Sequence, residues 1–550
     1  MAGILGSALS GLIAFQRSLD TTSHNIANVN TDGYSRQRVE LSTRPAEFTG
    51  AGYIGQGVNV AMVSRNYDQF ISNQLISSTS AFAETSTLSA LASQVDDITA
   101  NEATGLSPTL KVFFNSVNEV ANDPASLPAR QVMTSEAESL TQQFNTLSSQ
   151  FENLRAQINT KMQVTINDIN AFAESIADLN SKIVTYSSTG EPNDLLDQRD
   201  ALLAKMAEKI SVTTIPQQNG LVNVFVGKGQ ALVLGISTTK LALAGSSTDL
   251  AHQTVLVNGL EISKEITGGE LSGTLKFRDE VLDPAQQQLG LVAAGFAIQF
   301  NAVHTTGFDL NGNAGTDLFG LGTPPLTIPV TQTPNSIGSI TASYEPLTLG
   351  QLTASDYQLS YDGTNFSLQR LSDNTVTTFA GPPPATIAGP GFNISTSATV
   401  AAYDSFFIRP TFNAAKKMTA STLIMSDPKL IAAAATTGGS GLPIPGDNKI
   451  ALNLANLETT SVLLGGKSTF NNVYGQLVAK VGTLTHAAKV GSSAQEVLLN
   501  QTKQTREDLA GVNLDEEAAN LIKFQQSYQA AAQAVSVARS LFDTLIGAVR

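Results

Sequence analysis

The chain has 550 residues with neither Cys nor Trp, and 32 basic against 46 acidic side chains give it a formal net charge of −14. The lack of Cys excludes a disulfide framework, a thiolate metal site and a thiol nucleophile, and an acidic chain without a basic run is a poor binder of nucleic acid or of an anionic membrane surface. No run of about 18 apolar residues is present to span a membrane, and the length suits roughly three or four domains of ~150 residues.

The chain begins with an apolar pattern at alternating steps of three and four, the 3.5-residue period of a coiled-coil seam. The positions are Leu5, Ala8, Leu12, Phe15, Leu19, Thr22, Ile26 and Val29. The start does not resemble a signal peptide. It lacks the basic first region, its pattern is amphipathic instead of continuously apolar, and Arg17 soon follows. We therefore expect an N-terminal helix, in a protein that is cytoplasmic or is exported without a cleaved signal.

A turn-rich segment, 24–37, follows this helix and contains several Asn, Asp and Gly residues. These residues favour turns and tolerate left-handed backbone. The helix should end here and continue into an extended arm. Residues 50–57 are then predicted as a loop, and Val58, Val60 and Met62 alternate as in a strand.

The pattern from about Tyr67 to Ile210 is helical, with breaks near 105–108, 123–128 and 190–192. The segment between Pro128 and Gly190 is the longest, and at 1.5 Å per residue it predicts a rod of roughly 80–90 Å. Such a helix exceeds the ordinary globular length and indicates a long bundle or coiled coil.

Strand signals begin at Val212, with a hairpin turn at 219–220, and helical character returns over about 274–304. A second β region runs from about Leu326 to Phe412. Its clearest hairpin pairs 357–361 with 366–368 across Asp362 and Gly363. Residues 414–489 are predicted as mixed loop and helix, and 494–505 as a helix that leads into the last segment.

The last segment repeats the apolar period of the first. Its positions are Leu514, Glu517, Leu521, Phe524, Tyr528, Ala531, Val535, Ala538, Phe542, Leu545 and Val549, and Asn513 with Glu516 forms a predicted capping box. Two such seams at opposite ends of one chain suggest that the ends pair and that the middle is an insertion. An intramolecular coiled coil with no role in a polymer remains an alternative.

These elements predict an α+β multidomain fold with three parts. The N- and C-terminal helices pair as a coiled coil over 1–35 and 505–550. A rod domain covers 36–320 and 413–504, with a helical bundle at 67–210 and a β portion at 211–270. A β-rich outer domain is inserted at 325–412.

The sequence predicts no catalytic, cofactor-binding or metal-binding residues, and therefore a protein that is not an enzyme. None of His24, His252, His304 and His486 stands at zinc-ligand spacing from another. A run of Asp309, Asn311, Asn313, Gly315 and Asp317 hints at a calcium loop. However, its Gly is one place late and its twelfth position is Gly320, so a polar turn is the better interpretation. A carboxylate pair gathered from distant positions stays open, although nothing singles one out.

Four stretches, 24–37, 193–200, 512–520 and 524–531, resemble the flagellar axial proteins of bacteria. The Asn–Thr–x–Gly–Tyr arm is shared by rod, hook and junction proteins. The second and third stretches, with 277–284 and 404–410, are more similar to the hook-associated protein 1 family of the hook–filament junction. The resemblance covers the chain but is weak over about 325–402.

The resemblance implies a structural subunit that assembles head-to-tail into a helical ring and adapts the hook to the flagellin filament. The implied partners are other copies of the chain, the hook protein, hook-associated protein 3, which contacts the filament, and an export chaperone on the C-terminal helix. The implied location is the extracellular flagellum, reached by type III export. A hook or rod subunit, or a secreted adhesin or enzyme with axial-type ends, is the alternative.

Three residue sets are candidates for interaction. The terminal seam comprises Leu5, Leu12, Phe15, Leu19, Ile26, Leu514, Leu521, Phe524, Tyr528, Val535, Phe542 and Leu545, and the arm motif comprises Asn28, Asn30, Thr31, Gly33, Tyr34 and Arg36. A simple helix stop would explain the Asn and Gly residues of the arm, but not Tyr34 or Arg36. Gln525, Gln529 and Gln533 recur at i+4, either as a solvated face or as an uncharged lining of an export channel.

Overall fold

The computed structural model describes residues 2–48, 50, 52–101, 105–188, 190–246, 249, 252–322, 327–334 and 336–549. The helices are α1 (Ala2–Ala27), α2 (Gln69–Thr99), α3 (Leu106–Asn122), α4 (Leu127–Ser187), α5 (Asn193–Lys209), α6 (Gly269–Lys276), α7 (Asp283–His304), α8 (Ala414–Lys417), α9 (Thr422–Ser426), α10 (Lys449–Asn456), α11 (Phe470–Ala510) and α12 (Leu514–Val549). Within these ranges no helix is long and apolar enough to cross a bilayer.

The strands fall into three groups along the chain. The first group is β1 (Gln37–Thr43), β2 (Glu47–Phe48), β3 (Tyr53–Ile54) and β4 (Val58–Arg65). The second group is β5 (Val212–Pro216), β6 (Val222–Val226), β7 (Gln230–Leu234), β8 (Ser237–Thr238), β9 (Leu241–Gly245), β10 (Gln253–Val257) and β11 (Leu260–Glu261). The third group is β12 (Phe319–Leu321), β13 (Thr327–Ile328), β14 (Val330–Gln332), β15 (Ile340–Tyr344), β16 (Tyr357–Tyr361), β17 (Asn365–Arg370), β18 (Val376–Ala380), β19 (Thr386–Gly389), β20 (Phe392–Thr396), β21 (Ser405–Ile408) and β22 (Met418–Ala420). The predicted α+β class is confirmed.

The two ends of the chain pack against each other, as predicted. Because Asn25 near the end of α1 contacts Glu517 at the start of α12, the two helices run antiparallel. The most buried stripe of α1 consists of small or polar residues, namely Ser10, Ala14, Ser18, Thr22 and Asn25. Small side chains allow neighbouring backbones to approach closely, so the larger apolar residues of the predicted seam lie beside this stripe.

An antiparallel hairpin of β1 and β4 covers part of α1. Its register shifts by a bulge between Glu40 and Leu41, which increases the local twist. Gly57 has a φ of +96°, and a Cβ there would lie 2.2 Å from Ser10 Oγ. The amide of Val58 donates to the same oxygen at 3.1 Å. The hairpin therefore sits directly on the N-terminal helix.

The predicted helical rod is formed by α2 to α5, and its breaks fall where the sequence places them. The 61 residues of α4 correspond to about 90 Å. Phe144 and Phe151 of α4 belong to one hydrophobic core, which also includes α3, α7, α11 and the third strand group. Further along, Met162 and Ile169 belong to a second core with α5, α6 and the second strand group.

The strands of 327–408 form two sheets, ordered β13-β15-β20-β19 and β14-β21-β16-β17-β18. The predicted hairpin is confirmed as β16–β17, with Tyr361 opposite Phe366 and Leu359 opposite Leu368. All four of these side chains are buried, because residues at alternate positions of a strand share one face.

The range 414–489 is mixed loop and helix, as predicted, but the prediction did not show that its last part begins one long helix. Residues 470–510 form the single helix α11, which packs along α2. Gly475, Gly482 and Gly491 are each about 1 kcal/mol less favourable in a helix than Ala. However, Gly482 and Gly491 lie on the face of α11 that packs on α2, since a Cβ at either position would point at that helix. Tertiary packing therefore outweighs propensity. The break before α12 lies at 511–513, beyond the predicted domain boundary at 505, and the division into domains stays a prediction.

The run that hints at calcium forms a polar turn. Asp309 Oδ1 accepts hydrogen bonds from the amides of Asn311 and Asn313, both at 2.8 Å. Across the described ranges, no group of three or more His, Asp or Glu side chains is arranged to hold a metal ion.

His304 is fully buried and held as a neutral ring. The amide of Ala432 donates to Nε2 at 2.8 Å, so Nδ1 carries the proton and donates to the Thr316 carbonyl at 2.6 Å. Burial lowers its pKa from 6.5 to about 4. A folded pKa below the unfolded value favours folding above pH 6.5, and that contribution is lost as the pH falls toward 4.

Because of this histidine, we expect the free energy of unfolding to be about 2 kcal/mol lower at pH 5 than at pH 7.5. Urea unfolding of the full chain at both pH values, compared with His304→Gln, measures the effect. The variant should be less stable at pH 7.5 but less sensitive to acid. Equal acid sensitivity of the two proteins would show that His304 protonates freely in the folded state.

Candidate functional site

Three polar stretches that are far apart in the sequence meet where the terminal helices join the rest of the molecule. They are the arm, the start of α5 and the start of α12, together with the ends of β4 and α11. We call this cluster the polar joint and define it by Asn25, Tyr34, Ser35, Arg36, Gln37, Arg65, Asp194, Asp197, Asp200, Arg506, Glu516 and Glu517.

Glu517 connects the arm to α12. Its residue surface is 1% exposed, and its carboxylate accepts from Arg36 Nε at 2.7 Å and from Asn25 Nδ2 at 3.2 Å. Arg36 Nη1 also donates to Glu516 at 2.7 Å. A buried carboxylate is tolerated only when it is paired and hydrogen-bonded, so these contacts fix the angle at which α12 leaves the joint.

Asn25 connects α1 to the arm. Its Oδ1 accepts from the Tyr34 hydroxyl at 2.7 Å and from the Gln37 amide at 2.9 Å, while its Nδ2 donates to the Gln37 carbonyl at 2.9 Å. Burial first, and then the charges of Asp194, Asp197 and Glu517, raise the pKa of Tyr34. The phenol therefore stays protonated and keeps donating across the physiological pH range.

Acidic residues at the start of α5 hold the arm and β4. Asp197 accepts from the Ser35 amide at 2.8 Å and from Arg65 at 2.7 Å, and Asp200 accepts from the same arginine at 2.7 Å. Burial opposes the charge of Arg65, but Asp200 and Asp197 raise its pKa overall. Burial also raises the pKa of Asp200, against the opposing effect of Arg65. The two carboxylates therefore stabilise the charged form of Arg65, and Arg65 in turn stabilises the charged form of Asp200.

The turn of the arm is closed by its own residues and by α11. Gly33 has a φ of +82°, a backbone region that favours glycine. Arg506 Nη2 donates to the Gly33 carbonyl at 2.9 Å. Asn28 Nδ2 donates to the His24 carbonyl at 3.0 Å, and the Thr31 hydroxyl donates to Asn28 at 3.2 Å. The turn is thus specified by local polar bonds and one long-range arginine.

The arm residues divide by role. Asn28, Thr31 and Gly33 build the turn, Tyr34 and Arg36 belong to the polar joint, and Asn30 is exposed. A helix stop alone does not account for Tyr34 and Arg36. Contacts of the arm with neighbouring subunits stay a prediction.

Sequence reasoning did not single out most partners in the polar joint. Asn25, Arg65, Asp194, Asp197 and Arg506 were not among the predicted interaction residues. One signal was available, since Glu517 occupies an apolar position of the terminal period and a charge in such a seam requires a partner.

The seam residues are distributed between half-buried and exposed positions within one subunit. Leu12, Phe15, Leu19, Ile26, Leu521, Phe524, Tyr528 and Val535 are half-buried, whereas Leu5, Leu514, Phe542 and Leu545 are exposed. The contact between α1 and α12 covers only one stripe of each helix, and the β1–β4 hairpin covers a further part of α1 alone. The exposed members therefore lie outside the buried contact of the single chain, and their part in association between subunits stays a prediction.

Further large apolar residues are exposed on the same two helices. They are Ile4, Leu9, Ile13, Ile522, Val537, Leu541 and Ile546. Gln525, Gln529 and Gln533 are exposed as well. Large exposed apolar surface on a soluble protein marks an interaction site more often than a solvated face.

Models of known protein families match four parts of the chain. The flagellar hook-associated protein FlgK helical domain matches residues 92–319, and the D2-like domain of flagellar hook-associated protein 1 matches 330–410. The flagella basal body rod protein model matches 5–34, and the flagellar basal body rod FlgEFG protein C-terminal model matches 508–548.

Relatives match over almost the whole chain. Flagellar hook-associated protein 1 of Escherichia coli K12 is 32% identical over 99% of this chain and 100% of its own length, and that of Bacillus subtilis is 27% identical over 98% and 97%. The solved structure of the flagellar hook junction protein FlgK from Burkholderia pseudomallei superposes with a TM-score of 0.71 at 27% identity, covering 80% of this chain and all of that one. The chain belongs to the family of flagellar hook-associated protein 1.

Proposed function

We propose that this chain is a structural subunit of the bacterial flagellum that forms the hook–filament junction, the adaptor between the hook and the flagellin filament. Its family membership supports this role. The observation that carries it is a terminal helix pair with exposed apolar residues on its surface, joined at its base to the rod domain by the polar joint. A helix pair of this kind completes its burial by contacting further copies.

The assembly is head-to-tail. A subunit with two different complementary faces adds copies in a helix when the rotation between them does not close. In this arrangement the exposed residues of α1 and α12 contact neighbouring terminal helices, and the polar joint gives every rod domain the same direction. The neutral row of Gln525, Gln529 and Gln533 then faces the central channel.

The finer assignments rest on the family resemblance and belong to the same proposal. The hook protein lies on one side and hook-associated protein 3 on the other, and an export chaperone holds α12 before type III export to the cell surface. The terminal pair forms one domain, and the rod and the β-rich part, which share the larger hydrophobic core, act as a second unit. The protein is structural and has no catalytic role.

Deletion of the gene tests the proposed role. Electron microscopy of the cells should show bare hooks, and immunoblotting should find flagellin in the medium. Hooks absent from the deletion strain would place the chain in the hook or rod instead. Normal filaments would contradict a junction role and would favour an adhesin or enzyme activity in 325–412.

A charge at Phe542 should block assembly without unfolding the subunit, because this side chain is 53% exposed in the single chain. Phe542→Asp should leave the circular dichroism spectrum and the melting temperature of the purified protein unchanged, yet fail to restore filaments in the deletion strain. Phe542→Leu, which keeps the apolar contact, should restore them. Full motility with Phe542→Asp would remove this residue from the interface.

A further inference from the structure

The short hairpin of β2 and β3 carries large apolar side chains that the rest of the chain leaves exposed. We call the described residues of 47–54 the hairpin tip. Phe48 is 64% exposed, Tyr53 is 77% exposed and Ile54 is 55% exposed. Phe48 and Tyr53 lie opposite each other in the hairpin, with 5.4 Å between their ring centroids. Glu47 is the one charged residue of the tip. Apolar surface concentrated in this way indicates a contact with a partner.

The hairpin tip lies beside the first turns of α1 and points away from the polar joint. β1 leaves the joint at Gln37, which contacts Asn25, and its seven residues carry the chain about 20 Å along α1. The returning strand β4 begins at Val58, whose amide contacts Ser10. Ser10 and Asn25 are separated by about 22 Å along the helix. The hairpin therefore spans most of α1, with the joint at one end and the tip at the other.

A cleft of about 640 Å³ opens at the joint, between α2, α5 and the end of α11. We call it the joint cleft, and it shares Arg65 and Arg506 with the polar joint. Acidic and basic residues are equal in number among the described residues that line it. Its apolar lining includes Ile71, Leu75, Ile76, Leu203, Ala204 and Leu509. A cleft with an apolar lining and no net charge suits an apolar partner that carries little charge.

The hairpin tip matches the joint cleft better than it matches the other cleft beside the arm. That second cleft, of about 850 Å³, is rich in carboxylates, among them Glu174, Asp178 and Asp194. Its charge would repel Glu47. In the joint cleft the aromatic pair of the tip meets apolar side chains instead, and aromatic residues that fill a pocket contribute strongly to association.

The tip cannot reach the joint cleft of its own chain, because the length of the β1–β4 hairpin lies between them. Each copy thus presents the tip at one end of its terminal pair and the cleft at the other end. Two different complementary faces on one subunit are the requirement for head-to-tail association of identical copies. The first turns of α1, where Leu5 and Leu9 are exposed, also lie next to the hairpin. The tip therefore continues the surface through which the terminal helices are proposed to associate.

We propose that the hairpin tip of one copy inserts into the joint cleft of a second copy, with Phe48 and Tyr53 against the apolar lining of the cleft. This inference rests on the proposed function, since it names a contact within the proposed assembly. The contact is distinct from the one between terminal helices, because it joins the arm of one copy to α2, α5 and α11 of another.

Thiol cross-linking tests the contact, because the chain has no Cys and an introduced thiol is unique. The double variant Ile54→Cys with Lys503→Cys places one thiol on the tip and one on the rim of the cleft, both at exposed positions. Filaments with their hooks, isolated from the deletion strain that expresses this variant, are treated with a bismaleimide. Immunoblotting for the chain after denaturing electrophoresis should show a ladder of dimers and larger species, because each copy carries both thiols.

The matched control is Ile54→Cys with Lys480→Cys. Lys480 is an exposed lysine of the same helix, about 35 Å from Lys503, and it lies outside the described lining of the cleft. This pair should give no ladder, and neither should any of the single variants. A second pair, Glu47→Cys with Asn73→Cys, repeats the test at another point of the tip and of the cleft. Adding Tyr53→Ser to the first pair should lower the yield of cross-linked chains about fivefold, as the loss of an aromatic contact implies.

Three results would overturn the contact in filaments that have formed. They are the absence of a ladder from both tip-to-cleft pairs, an equally strong ladder in the Lys480 control, and a yield that Tyr53→Ser leaves unchanged. Failure of the proposed function gives a different result, since the deletion strain would then lack bare hooks or keep its filaments before any thiol is introduced.

Discussion

Replacing Glu517 with alanine is expected to lower the free energy of unfolding of the terminal helix pair by about 2–3 kcal/mol, because it leaves the Nε of the partly buried Arg36 guanidinium without its acceptor. The same change leaves Asn25 Nδ2 without one of its two acceptors. Hydrogen exchange of the α1 and α12 amides, followed by mass spectrometry, measures this loss locally. Protection should fall in both helices while the rod domain stays protected.

The adjacent residue provides a matched control. The Glu516 side chain is 58% exposed and pairs with the same arginine, so Glu516→Ala should cost less than about 1 kcal/mol. The double variant Arg36→Leu and Glu517→Leu should be less damaging than Glu517→Ala, because it removes the Arg36 Nε donor together with its acceptor and fills the space with apolar side chains. Equal exchange rates in Glu517→Ala and Glu516→Ala would contradict a central role for Glu517.

Replacing Phe296 with alanine should destabilise the larger core by about 3–5 kcal/mol. Its fully buried ring lies 5.0 Å from the ring of Phe319, 5.4 Å from Phe470 and 5.5 Å from Phe113, measured between centroids. These contacts connect α7 to α3, α11 and β12. Truncation of Phe296 therefore removes packing from four elements at once.

Urea unfolding followed by circular dichroism measures the effect on the full chain. Phe70→Ala is the control, since Phe70 is 75% exposed at the start of α2 and its truncation should change stability by less than about 0.5 kcal/mol. A loss below 1 kcal/mol in Phe296→Ala would mean that the ring cluster repacks around the gap.

The sequence predicted helices and strands well where the apolar residues of a segment follow a single helical or strand period. The four helices between Gln69 and Lys209 and the β16–β17 hairpin appear where periodicity and turn residues place them. The first half of α11 was missed because Gly475 and Gly482 lower local propensity, while the compensating contacts with α2 come from nearly 400 residues away. Local patterns carry no information about such contacts.

The terminal helices show a different limit. Apolar periodicity selected large residues such as Leu12 and Phe15, but the most buried stripe of α1 includes Ser10, Ala14 and Ser18, which lie outside that period. A hydrophobic pattern does not reveal where two backbones approach closely. The polar joint could not be predicted from sequence either, because its residues become neighbours only in the folded chain. Three of the stretches that carry the family resemblance, 24–37, 193–200 and 512–520, contribute residues to it.

The hydrogen bond between Asn25 and Glu517 spans 492 positions of the chain, which has a consequence for the order of folding. Contacts of such separation require a large loop to close, and they form slowly compared with local helices. The rod and the β-rich part can gather their cores from 69–510, whereas the joint must wait for the final helix. A chain that stops before residue 514 would keep the residues of both cores but would lack Glu516 and Glu517, so α1 could not pair with α12. The polar joint therefore forms only in a chain whose synthesis has reached the last helix.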